Sequence, residues 1–193
     1  MKSKQYWADR KEYIYNRVII DVEKELAQEY IRCANTVKAH LSSLLDEIEA
    51  TGAENVLVSD LYRFNRYYDL INNLNANLIK LGRKEITILE NAFKKMYLTN
   101  SQLIADELSY SFPINDDAVK KAINSTWAPN GRHWSDSVWH NKEGLSERVQ
   151  KGMVDCLARG VSRQELTKTL MDNFDRIGFY EADRLARTEL SYI

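Results

Sequence analysis

From Lys2 to Thr51 the chain runs without a glycine or a proline. No β-rich fold can be built on such a stretch, because a sandwich or barrel needs a turn signal every ~8–12 residues. The whole chain holds 7 Gly and 2 Pro in 193 residues, well below the roughly 7% and 5% of average usage. The glycines are also scattered singly, so no phosphate-cradling glycine cluster of the dinucleotide or P-loop kind is present. A helical protein with long elements remains.

The apolar pattern agrees. Ile14, Val18, Val22, Leu26, Tyr30, Cys33, Val37, Leu41, Leu44 and Ile48 recur at a helical interval slightly longer than 3.6. A left-handed coiled-coil seam with its 3.5 spacing fits this poorly. The spacing predicts one helix over roughly residues 5–50, stopped by Gly52. At ~1.5 Å per residue it outreaches a compact domain, so it must project or kink.

Ser59 or Asp60 is placed to cap a second helix ending at Gly82, with Leu61, Phe64, Tyr68, Ile71, Leu74, Leu78 and Leu81 inward. A third helix is expected over 83–110, burying Ile86, Leu89, Phe93, Tyr97, Ile104 and Leu108. Short glycine-marked turns would lay these helices antiparallel. Asn115-Asp116-Asp117 can cap a short helix over Ala118–Ser125. A helix from Ser135 carries Val138, Trp139, Leu145, Val149, Met153, Cys156 and Leu157 to a stop at Gly160. Ser162-Arg163-Gln164-Glu165 reads as a capping box, with Leu166 and Leu170 in the helix it opens. A last helix begins near Phe179, carries Ala182, Leu185, Ala186 and Leu190, and has no stop signal before Ile193. The expected architecture is all-α: an elongated multi-helix bundle with long N-terminal helices and a smaller C-terminal helical unit. Its expected organisation is a long-helix region over 1–112, an irregular Trp/Pro linker over 113–134 and a helical region over 135–193.

The chemistry-bearing residues are sparse. The net charge of −1 gives no bulk attraction to nucleic acid. Cys33 and Cys156 have neither disulfide nor metal-knuckle spacing, which fits a reducing compartment. No apolar run approaches the ~18 residues of a membrane span, and no signal peptide is visible at the start. His133 and His140 lie seven apart beside Trp134 and Trp139 without the tight spacing of a zinc site, so capping or surface roles are expected. His40 reads as a solvent-edge residue. Glu25–Glu29 and Glu143–Glu147 read as solvated helix faces. With no nucleophile motif either, no catalytic, cofactor or metal site is expected, and the chain reads as a non-enzyme.

Two groups could meet partners. Arg63 and Arg66 interleave with aromatic residues and read first as exposed arginines beside a core face; alternatively, with Lys80, Arg83 and Lys84, they contact nucleic acid or an acidic protein surface. Trp127, Trp134 and Trp139 either pin the irregular stretch or form an interface.

The C-terminal block carries a resemblance. Trp134-Ser135-Asp136-Ser137-Val138-Trp139-His140-Asn141-Lys142-Glu143 leads through Leu145 to Ala158-Arg159-Gly160-Val161-Ser162. It then reaches Ala182-Asp183-Arg184-Leu185-Ala186-Arg187-Thr188-Glu189. This pattern resembles the Mu F-like head morphogenesis (minor capsid) family of tailed phages. Tyr6-Trp7 and Leu61–Tyr68 extend the resemblance over nearly the whole chain, and Arg187-Thr188-Glu189 is its most specific piece. The resemblance implies a protein inside the virion capsid, assembled in the host cytoplasm. Its partners would be portal or capsid proteins, with packaged DNA a further possibility and no membrane. Family members continue into a small further domain, some with toxin-like enzymatic domains, so the chain is expected to be the front part of a longer protein. Arg187 and Glu189 are the interface candidates on the last helix. Alternatively they anchor it to the preceding helix pair by ion pairs.

Overall fold

The structure, a computed structural model, describes residues 4–50, 65–109, 115–126 and 131–192. Among these every regular element is helical, as expected. Helix α1 is Lys4–Glu49, α2 is Arg66–Glu107, α3 is Asp116–Ile123 and α4 is Trp134–Ala158. Helix α5, Arg163–Asp172, passes through a π-helical stretch, Asn173–Phe179, into α6, Tyr180–Tyr192.

All ten apolar positions read along α1 are buried. One helix face therefore stays against protein from Ile14 to Ile48. The expected stop at Gly52, the caps at Ser59 and Asp60, and Pro113 and Pro129 lie outside the described residues. So do Leu61, Arg63, Phe64 and Trp127.

Several expectations in the next stretch are corrected. Gly82 does not end a helix, and no antiparallel turn follows it: α2 runs unbroken for 42 residues. Gly82 is buried, and a methyl group there would come 2.6 Å from Trp139 Cζ3. The glycine marks a close approach of an aromatic ring, not a break in the chain. Tyr68 is 64% exposed instead of inward. Asn65, at φ 60°, takes the left-handed conformation just before α2, and the buried face then begins at Leu70 and continues through Leu74, Leu78 and Leu81. Ile104 and Leu108 are also exposed. Ile104 lines an open recess with Trp7 and Ile14, and Leu108 lies past the last turn of α2.

The shorter elements follow their caps. Asn115 Oδ1 accepts from Asp117 N–H at 2.9 Å, starting α3 two residues earlier than expected. Helix α4 closes with Gly160 at φ 62°, its N–H donating to Leu157 O, while Val161 N–H donates to Cys156 O. That is a Schellman motif, in which glycine takes the left-handed position. Ser162 Oγ accepts from Glu165 N–H at 3.2 Å and opens α5.

The chain divides into two compact units. The first comprises Met1–Leu26, Glu85–Val138 and Ala182–Ile193; the second comprises Ala27–Lys84 and Trp139–Glu181. Both α1 and α2 contribute to each. No helix among the described residues is long and apolar enough to cross a membrane.

Candidate functional site

In the first unit the resemblance motif lies on α6 and packs along the start of α1. Ala182, Ala186, Glu189 and Leu190 are buried. Their spacing of four, three and one residues puts them on one helix face, and the two alanines let the α6 backbone approach closely. Three polar ties hold it. Lys11 Nζ donates to Ser191 O at 3.2 Å, Tyr15 OH donates to Arg187 O at 3.4 Å, and the Arg187 guanidinium pairs with Glu23. Arg187 Nε also donates to Asp183 Oδ2 at 3.0 Å, so one guanidinium bridges carboxylates of two helices.

The ion-pair expectation for this helix is therefore corrected in part. Arg187 does anchor it, but to α1 and not to the preceding helices. Glu189 makes no hydrogen bond or ion pair among the described residues. Its local sequence fixes the reason, since it sits on the alanine face at the interior. Burial pushes the Glu189 carboxyl above its ordinary value of 4.5, and burial likewise raises Asp183 above 3.8.

Trp134 is interior to the same unit. Its indole N–H donates to Ile123 O at 3.0 Å, and its ring stands edge-on to Phe93 with centroids 5.1 Å apart. It ties the end of α3 and the start of α4 to α2. His133 caps α4: its Nδ1 accepts from Ser135 N–H at 3.3 Å and lies 2.7 Å from Ser135 Oγ. This is the capping role expected of it. His140 is exposed. No group of three or more His, Cys, Asp or Glu able to hold a metal ion occurs among the described residues.

The second unit holds the other candidates. Trp139 is half-buried and lines a surface recess with Asn75, Ile79 and Ser146. Arg66 pairs with Glu47 at 3.6 Å. Lys80, Arg83 and Lys84 are exposed at i, i+3, i+4 and share one face of α2.

A buried polar cluster here was missed from sequence. Lys142 is 4% exposed, its Nζ donates to Tyr30 OH, and it lies 4.8 Å from the Tyr30 ring centroid. Cys33 is nearby, its thiol pushed up to about 12 by burial, against the lowering influence of the Lys142 charge. A signal for Lys142 was present, since it falls on the apolar face set by Val138, Leu145 and Val149. Behind the other edge of Tyr30, Gly178 comes so close that a methyl group would stand 2.8 Å from both Tyr30 Cε1 and Leu145 Cδ2.

Compared with protein-family models, curated proteins and solved structures, the chain matches none.

Proposed function

We propose that this chain is a structural protein of a tailed-phage head, of the Mu F-like minor capsid kind. In this reading it acts inside the procapsid near the portal, in head assembly or genome delivery. The supporting observation is the setting of the helix Ala182–Glu189. The residues that carry the resemblance pack and tie α6 to α1 through Ala182, Ala186 and the Glu23–Arg187–Asp183 bridge. A helix fixed in this way suits a part whose work is to hold geometry within an assembly. The test is co-purification with the portal protein of the phage genome that encodes the chain. Stable association is expected, and no association even at low salt would refute the reading.

A second reading is contact with packaged DNA, favoured by the exposed Lys80–Arg83–Lys84 face. Three phosphate contacts would give a slope of about −3 for log affinity against log salt. A flat titration of duplex DNA across salt concentrations removes this reading.

A further inference from the structure

The second unit contains an apolar pocket of about 340 Å³ between α1 and the π-helical stretch. Tyr30, Ala34, Phe174 and Phe179 form its interior, and Ile31, 57% exposed, stands at its mouth. A volume of this size accommodates a large side chain or small ligand. The pocket is charged asymmetrically. Asp172 and Asp175 both line it on the π-helical side. Asp172 has Arg176 4.0 Å away, whereas Asp175 is exposed and has no ion pair among the described residues. Apart from these two aspartates, the residues that line the pocket are uncharged. A cation is thus favoured at the rim and a carboxylate disfavoured there.

We infer that this pocket docks a segment of a protein partner that inserts an aromatic or branched aliphatic side chain and carries lysine or arginine beside it. The apolar anchor replaces water against Phe174, Phe179 and Ile31, and the flanking cation meets Asp172 and Asp175. The π-helical turn and the absent side chain at Gly178 bring this wall up against Tyr30, so the pocket is preformed in the unbound chain.

The probe is a synthetic amphipathic helical peptide with phenylalanine and leucine on one face and flanking lysines, followed by fluorescence anisotropy. A counterpart has glutamate in place of every lysine. The lysine peptide should bind and the glutamate peptide should bind at least about tenfold more weakly. Ile31→Arg changes an exposed residue and should keep the helical circular dichroism while lowering affinity about tenfold or more, the loss expected for one apolar anchor contact plus a like charge. Asp172→Asn with Asp175→Asn should lower it about two- to fivefold and flatten its salt dependence. A photoreactive group on the phenylalanine should crosslink within Met171–Phe179. The inference is overturned if the lysine peptide does not bind, if the two peptides bind equally, if Ile31→Arg leaves affinity unchanged, or if the crosslink maps elsewhere.

Discussion

Glycines inside helices offer a direct test of the packing described for the second unit. Gly82, Gly144 and Gly178 all lie within helical backbone, where alanine is worth up to ~1 kcal/mol more than glycine by propensity alone. Their surroundings differ. At Gly178 a methyl group would meet Tyr30 Cε1 and Leu145 Cδ2, each at 2.8 Å. The Tyr30 ring cannot yield easily, since Lys142 holds its hydroxyl and Phe179 stands edge-on to it. Overpacking of this kind costs about 1–3 kcal/mol, so Gly178→Ala should be net destabilising by about 1–2 kcal/mol. Gly82→Ala meets Trp139 at 2.6 Å, but that ring is half-buried and has room to shift. Its net cost should be smaller, on the order of 1 kcal/mol. At Gly144 the nearest atom is the Arg148 guanidinium at 3.3 Å, the end of a flexible side chain that is 42% exposed. Gly144→Ala should therefore stabilise by about 0.5 kcal/mol. Urea unfolding followed by far-ultraviolet circular dichroism measures all three against the parent. If Gly178→Ala is as stable as the parent, or if Gly144→Ala is as damaging as Gly178→Ala, close approach is not the reason for these glycines.

Three further outcomes follow from the buried polar groups. Tyr30→Phe removes an acceptor of the buried Lys142 ammonium and should destabilise by about 1–3 kcal/mol in the same urea assay. With burial holding the Cys33 thiol pKa at about 12 and Cys156 fully buried, neither cysteine should react with a thiol reagent at mildly alkaline pH until denaturant is added. Glu189 titrates near 4.5 when unfolded and higher when folded. The folded chain thus holds the proton more tightly, and the contribution of this residue to stability is full below pH 4.5 and lost as pH rises through the folded value. Glu189→Gln should then be more stable than the parent at neutral pH and no more stable at pH 4, read by thermal unfolding at both.

The sequence foretold the fold where one periodic face decides everything. The α1 stripe from Ile14 to Ile48 is such a case, because every one of its positions meets protein. Reading failed at Gly82, where glycine taken as punctuation proved to be room for Trp139, and at Tyr68, where Asn65 resets the start of the helix. Charged residues on apolar faces were legible but passed over: Lys142 among Val138, Leu145 and Val149, and Glu85 between Leu81 and Leu89. The pairings themselves had no local signal. Arg187 and Glu23 lie 164 residues apart and Lys142 and Tyr30 lie 112 apart, so only the folded chain brings them together. Nor did any pattern announce the π-helical stretch, whose fit depends on that same distant tyrosine.

Glu189 is where the candidate site and the fold make opposite demands. It belongs to the most specific piece of the resemblance, yet it sits buried on the Ala182–Ala186 face and makes no hydrogen bond or ion pair among the described residues. For packing alone a leucine would serve better, because burial strips part of the carboxylate's hydration and raises its pKa. Glu189→Leu therefore separates two roles for α6. If the helix serves only to complete the first unit, the substitution should raise the unfolding midpoint and leave portal co-purification unchanged. If the carboxylate meets a partner on assembly, stability should rise while co-purification falls. A variant that is less stable than its parent would refute the premise shared by both, that burial of this charge opposes folding at neutral pH.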